Sequence, residues 1–309
     1  MASISSINTT ANIQIILDRL TICFNEPNKE FVKKTCGLIL SDKYTNEIPG
    51  MKVTANARYA VSARIPMPFS YDAVERHPVF FEAGPKLPGH PSYRLDFNPA
   101  KLTGDGIDEL KCFLECIMDP TPEEFFGKGR VTRVDIAADL IGPDLNDLIV
   151  LASRKQKHGV YSNRYGVPET VYLGTPRSAR VVAYTRPNKL SGVVATRLEC
   201  RLKPRCLGED IASLPNPFSK VTLYSVKALT GLGLPPQMLA DSIRLRGVKP
   251  AIQGLDPKKR KMILAALDPS KSILPDASAL WAGWPTALLA AGLGKELGMP
   301  LPLNTKQAA

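Results

Sequence analysis

Tyr184 lies two residues before Arg186, and the stretches on either side of it hold Asp135, Asp139 and Glu199 together with Arg197 and Arg201. A phenol has an ordinary pKa of about 10, so at neutral pH it attacks an electrophile only where cations stabilise its oxyanion or a base takes its proton. Arg186, Arg197 and Arg201 supply such cations. The carboxylates of Asp135, Asp139 and Glu199 suit a hard divalent ion, Mg2+ or Mn2+, which takes oxygen ligands and polarises a phosphate. Tyrosine, metal and arginines together are the outfit of a phosphoryl transferase. The phenol attacks a phosphodiester, keeps one end covalently, and releases a hydroxyl on the other.

These side chains meet only if strands place them on one face of a sheet. Side chains alternate between the two faces of a strand. In residues 131–140, Val134, Ile136, Ala138 and Leu140 form an apolar row, and Arg133, Asp135 and Asp139 share the other side. Residues 193–203 put Thr196, Leu198, Cys200 and Leu202 on the less polar side and Arg197, Glu199, Arg201 and Lys203 opposite. Between them, residues 180–186 place Val182, Tyr184 and Arg186 together. If the three strands pair in one sheet, the tyrosine, the carboxylates and the cations gather on a single face. Simpler roles stay open for each piece. Tyr184 suits a strand surface as a packing aromatic. Asp135 with Arg133, and Glu199 with Arg197 or Arg201, suit cross-strand ion pairs.

The rest of the chain supplies the scaffold. Alternation marks strands at residues 18–24, in the segment 52–65, at 79–82 and at 93–97. Ile107, Leu110, Phe113, Leu114 and Ile117 have the spacing of one helix face, closed by Asp119-Pro120. A helix at about residues 144–154 would turn Leu145, Leu148, Ile149 and Ala152 inward, and strands follow near Thr170, Val181 and Val194. The fold class expected is α+β. Two ferredoxin-like, strand-rich halves form a mainly antiparallel sheet with helices on one face, followed by an α-helical C-terminal region.

The expected divisions are a mobile N-terminus over residues 1–17, an α+β domain over 18–207 and a mostly helical region over 208–309. Helices are expected there at about 220–230 and 237–245, and after Asp256-Pro257 by the cap-then-proline pattern. Lys258, Lys259, Arg260 and Lys261 fall in the first turn of that last helix, where cations oppose the helix dipole. Residues 277–294 carry no charge, but Pro285 interrupts them, so they read as two short helices with Trp281, Trp284, Leu288 and Leu289 packing on the core or on a partner.

Composition narrows the partners. A chain of 309 residues with 44% hydrophobic content buries a substantial core, and a formal charge of +11 attracts polyanions. The six cysteines are too scattered for a disulfide framework or a zinc site, and they read as buried or partly buried free thiols in a reducing compartment. The N-terminus has no basic stretch followed by an apolar run. A cytoplasmic location is therefore expected, with no stable membrane association. The three histidines, His77, His90 and His158, lie away from the charged strands in sequence, and no nucleophile elbow or phosphate loop is present, so a small-molecule hydrolase is disfavoured.

Residues 133–139 (Arg-Val-Asp-Ile-Ala-Ala-Asp), 171–178 (Val-Tyr-Leu-Gly-Thr-Pro-Arg-Ser), 182–184 (Val-Ala-Tyr) and 196–203 (Thr-Arg-Leu-Glu-Cys-Arg-Leu-Lys) occur in an order that resembles the replication initiation factor family. That family includes initiators of rolling-circle plasmids and RstA-like replication proteins of filamentous phages. Residues 93–102 (Tyr-Arg-Leu-Asp-Phe-Asn-Pro-Ala-Lys-Leu) also resemble the phage members. The resemblance covers roughly residues 18–204, and it rests on the order and spacing of the motifs.

The resemblance implies a nicking and joining enzyme that binds an origin, cuts one strand and stays attached through a 5′-phosphotyrosine while the freed 3′-hydroxyl primes synthesis. Tyr184 matches the nucleophile, and Asp135 and Glu199 match the acidic, metal-binding positions, with Asp139 behind them. The family commonly has lysine where this chain has Arg186, and arginine does not readily give up a proton. Arg133, Arg177, Arg180, Lys189, Arg197, Arg201 and Lys203 are the candidate DNA contacts. Implied partners are origin DNA, double- and single-stranded, a host helicase or polymerase, and a second copy of the chain. The rival reading is a non-catalytic origin-recognition or repressor protein that uses the same basic face.

Overall fold

The structure, a computed structural model, describes residues 13–41, 46–68, 74–102, 104–155, 157–187, 194–274, 276–297 and 299. The chain divides into two compact units, each drawn from three stretches of sequence: residues 16–135, 203–214 and 284–309 in one, and residues 1–15, 136–202 and 215–283 in the other. The fold is α+β. Among the described residues ten strands form one antiparallel sheet in the order β2-β3-β4-β5-β1-β6-β11-β10-β9-β8, and β7 and β12 form a two-stranded sheet.

In the unit built on residues 16–135, the strands are β1 (Ile15–Phe24), β2 (Lys52–Thr54), β3 (Tyr59–Met67), β4 (His77–Pro85), β5 (Tyr93–Phe97) and the start of β6 (Arg130–Ile141). Its helices are α1 (Lys29–Leu40), α2 (Gly104–Ile117), α3 (Pro122–Lys128) and α8 (Trp284–Ala290). Antiparallel register stacks Ile22 against Leu95 and Leu95 against Phe81, so one face of the sheet is continuous apolar surface. Phe113 of α2 meets Phe81 edge-on at 6.5 Å, and Phe126 of α3 meets Phe97 at 6.2 Å. That face is the core, as the alternation demanded.

Two of these helices, α1 and α3, lie where the sequence analysis assigned no element. Asn28 caps α1 by accepting the Glu30 N–H at 3.0 Å, and Val32, Thr35 and Ile39 face inward. Thr121 caps α3 by accepting the Glu124 N–H at 3.2 Å. Cys112 and Cys116 are exposed on α2, a correction to their expected burial, whereas Cys23 and Cys200 are buried. Trp284 is buried and donates its indole N–H to the Ile211 carbonyl at 3.2 Å.

The other unit holds the end of β6, then β7 (Leu148–Ala152), β8 (His158–Ser162), β9 (Pro168–Leu173), β10 (Arg180–Pro187), β11 (Val194–Leu202) and β12 (Val221–Ser225). Its helices are α4 (Pro236–Arg246), α5 (Val248–Ile252), α6 (Pro257–Ala266) and α7 (Ala277–Trp281). Two expected helices are strands here. Leu148-Ile149-Val150-Leu151 is an unbroken apolar run rich in branched side chains, and it pairs as β7 with β12, Val150 opposite Leu223. The remainder of the expected helix at 220–230 is a short 3-10 turn over Val226–Leu229.

The helices expected at 237–245 and after Asp256 are present as α4 and α6, with Asp256 accepting the Lys259 N–H at 2.9 Å. Residues 277–294 fold as α7 and α8, with Trp284 and Leu288 buried, Trp281 half-buried and Leu289 exposed. Among the described residues no helix is long and apolar enough to cross a membrane.

Arg244 of α4 is buried and holds the connection between β6 and β7. Its guanidinium donates to the carbonyls of Asn146 at 2.6 Å and Leu148 at 2.7 Å, and pairs with Asp241 at 2.5 Å. Burial pulls its pKa below the usual arginine value. Arg244→Ala strips donors from buried carbonyls, a change worth about 3 kcal/mol or more. A correspondingly lowered thermal midpoint, read by circular dichroism, is the expected outcome.

Tyr59 lies in β3 and is 1% exposed, and burial pushes its phenol up to about 12. Because the folded pKa exceeds the unfolded one, its contribution is complete below about pH 10 and is lost as pH rises through 12. Tyr59→Phe is expected to flatten the fall in urea midpoint between pH 10 and 12.

Candidate functional site

The sequence-derived face assembles on the unit containing residues 136–202. In the β10–β11 ladder Arg180 stands opposite Arg201, Val182 opposite Glu199, Tyr184 opposite Arg197 and Arg186 opposite Ala195. Directly opposed residues of an antiparallel pair point to the same side, about 5 Å apart at Cβ. Tyr184 therefore stands within a ladder of arginines. On the far side of β10, Tyr184 faces Thr170 and Val182 faces Tyr172 of β9.

So many cations on one face repel unless each has a counter-charge or a π surface. Arg197, 5% exposed, donates Nε to Asp139 Oδ1 at 2.6 Å and Nη2 to Oδ2 at 2.8 Å, a bidentate pair. Arg186, about half exposed, reaches the same carboxylate at 3.2 Å. Arg201 donates to both oxygens of Glu199, at 2.6 and 3.3 Å. The Arg180 guanidinium sits over the Tyr172 ring, 4.6 Å from its centroid. Tyr184 is half-buried beside them.

The remaining expected site residues lie elsewhere. Asp135 belongs to the other unit, where Arg133 clamps it with contacts of 2.9 and 2.5 Å. Asp135 and Asp139 are four positions apart along β6, about 13 Å of extended strand. Arg177 is exposed in the turn between β9 and β10, and Lys203 is exposed beyond β11. Lys189 lies outside the described residues.

The three carboxylates do not fit one divalent ion as they stand. Asp135, Asp139 and Glu199 each accept from an arginine, and no group of three or more His, Cys, Asp or Glu side chains among the described residues is arranged to hold a metal. Their lone pairs already face cations.

Sequence reasoning missed β8 and the aromatic part of this face. Tyr161 opposes Thr170, and its ring packs edge-on against Tyr172 at 5.5 Å. The visible signal was Val160-Tyr161 ahead of the Asn163–Val167 turn with Gly166 at φ +79°.

It also missed a second network, in the unit of residues 16–135. Asp96 accepts from Arg19 at 2.7 Å and from Arg94 at 2.5 Å, while Arg94 also reaches Glu82 at 2.6 Å. The Asp96 hydrogen bond raises the Arg19 pKa; burial opposes the same effect at Arg94, but Asp96 and Glu82 prevail. Arg94-Leu95-Asp96 has the spacing of Arg133-Val134-Asp135, and that repetition was legible.

No protein-family model matches the chain. Three replication initiation proteins of Staphylococcus aureus are similar to it, each 34% identical over 89 residues. The match spans 29% of this chain and 26% of the relative, so the chain covers about a quarter of the length of the curated relatives it matches. Over that partial region the chain is similar to proteins named for replication initiation.

The bidentate pair gives a direct test of what holds the face. Asp139→Asn leaves the buried Arg197 without its carboxylate and is expected to cost about 3 kcal/mol. Arg186→Ala removes only an exposed contact and is expected to cost less than about 1 kcal/mol. Urea denaturation of both variants against wild type checks the contrast.

Proposed function

We propose that this chain acts in replication initiation by binding origin DNA and cutting one strand through Tyr184. The observation that carries the reading is Tyr184 opposite Arg197 on a face it shares with Arg180, Arg186 and Arg201. The similarity to replication initiation proteins supports it from a separate direction.

In the proposed step, the Tyr184 phenolic oxygen attacks the phosphorus of one phosphodiester. The new bond is tyrosyl oxygen to phosphorus, and the bond broken is phosphorus to the 3′ oxygen. The phenolic proton ends on that oxygen, leaving a free 3′-hydroxyl and a 5′-phosphotyrosine. Negative charge grows on the phosphate oxygens in the transition state, and guanidinium donors already oriented on the face stabilise it without reorganisation. Arg186 is the best placed for this, since it is about half exposed and its contact with Asp139 is the longer one. Asp139 and Glu199 of the face are engaged by arginines.

That engagement also favours a second reading, a non-catalytic DNA grip. The two readings separate on supercoiled plasmid carrying the chain's own replication region, incubated with Mg2+, with Mn2+ and with EDTA. Wild type is expected to yield open circles with a protease-sensitive 5′ end. Tyr184→Phe is expected to lose nicking while retaining DNA binding, and Arg186→Ala to nick about 100-fold more slowly. Tight binding with no cut by wild type in any condition would leave the grip.

A further inference from the structure

The β8 strand ends the sheet, and it and the turn that follows it carry exposed aromatic rings that the nicking chemistry does not use. Tyr161 is 68% exposed and Tyr165 is 74% exposed. Exposed aromatic rings gathered at the last strand of a sheet are a surface for a partner.

Register fixes which face Tyr161 shares. Tyr161 opposes Thr170, Thr170 opposes Tyr184, and Tyr184 opposes Arg197, so the four stand in one row across β8, β9, β10 and β11. Adjacent strands lie about 4.8 Å apart, which puts Tyr161 about 10 Å from Tyr184 across the sheet. Tyr172 leans its ring against Tyr161 at 5.5 Å and carries the Arg180 guanidinium at 4.6 Å. At the hairpin tip, Arg164 lies over the Tyr165 ring, 4.7 Å from its centroid. The tip is fixed in shape, because the Asn163 side-chain oxygen accepts the N–H groups of Tyr165 and Val167 at 2.9 and 3.1 Å.

We propose that this edge is a stacking platform for the unpaired bases of single-stranded DNA, with Tyr161 as the central ring. The inference rests on the reading of Tyr184 as a strand-cutting nucleophile, and it assigns the sugar-phosphate chain a path from Tyr184 towards β8. Charge supports that occupant: the row and its neighbours hold Arg180, Arg186, Arg197 and Arg201 against Asp139 and Glu199, a net positive strip beside π faces. Single strands are bound by this combination of cations that follow the backbone and aromatic rings that take bases of any sequence. A duplex keeps its bases stacked on one another and gains nothing from Tyr161.

The test uses the full chain at one fixed salt concentration, because backbone binding is salt-dependent. Fluorescein-labelled dT20 and a mixed-sequence duplex of the same length are titrated and read by anisotropy. Tyr161→Ala is expected to weaken dT20 binding about 5-fold or more, Tyr161→Phe to retain it, and the duplex affinity to stay the same in both. Thermal melting of each variant confirms folding. Equal dT20 affinity in wild type and Tyr161→Ala overturns the proposal, as does no dT20 binding by wild type. A loss matched in Tyr161→Phe overturns stacking in favour of the hydroxyl. Self-association that Tyr161→Ala abolishes while dT20 binding is untouched assigns the edge to a second copy instead. The readout is independent of cutting: a stacking signature in a protein that nicks nothing would keep this platform and remove the nucleophile.

Discussion

The bidentate grip of Arg197 on Asp139 is the interaction on which the charged face depends. Arg197 is almost fully buried, and an unpaired guanidinium at that depth would cost several kcal/mol. Asp139 offers both oxygens at 2.6 and 2.8 Å, so the charge is satisfied where it stands. With Arg197 fixed, its ladder partner Tyr184 has a cation opposite it and the sheet core beneath it. Glu199 performs the same service for Arg201, and the ring of Tyr172 does so for Arg180. A sheet carries this much positive charge on one side because each cation is answered locally.

The unit of residues 16–135 uses the same device with different parts. Asp96 is 4% exposed and receives two arginines, and one of these also binds Glu82. Its aromatic residues Phe81, Tyr93, Phe97 and Phe126 pack in the core on the opposite side of the strands from that network. Alternation along a strand thus divides labour: one side condenses by apolar burial, and the other becomes an ordered lattice of ion pairs.

That division explains what the sequence disclosed. Strands with polar residues at every second position, such as residues 131–140 and 194–202, announced both their secondary structure and the face of Tyr184. β7 did not, because Leu148 to Leu151 is apolar at every position and an unbroken run has no period to read. Its partner β12 hides for a different reason: it carries Thr222 and Ser225, but Leu223 and Tyr224 are buried side by side, which breaks the alternation. The helix α1 hid behind few strong apolar residues, since its inward row includes Thr35. Among the expected site residues, Asp139 and Glu199 stand on the unit that carries Tyr184 and Asp135 stands on the other, each paired with an arginine. Spacing shows which face an acid occupies, whereas only the fold shows that an arginine has already taken its oxygens.

The unequal engagement of the two arginines on Asp139 bears on how a phosphate would enter. Arg197 holds both oxygens and is buried; Arg186 shares one of them at 3.2 Å and is about half exposed. An incoming phosphodiester competes with Asp139 for Arg186 at little cost, because the Arg197 pair keeps the carboxylate satisfied after Arg186 leaves. The same phosphate cannot easily displace Arg197, since that exchange would strand a carboxylate that is 24% exposed. In the proposed reaction Arg197 is therefore the fixed cation that shapes the site, and Arg186 is the exchangeable one that meets the substrate. An arginine in this place, which does not readily release its proton, acts as a charge donor, so the proton of Tyr184 must pass to the departing 3′ oxygen by a route that does not use Arg186 as a base.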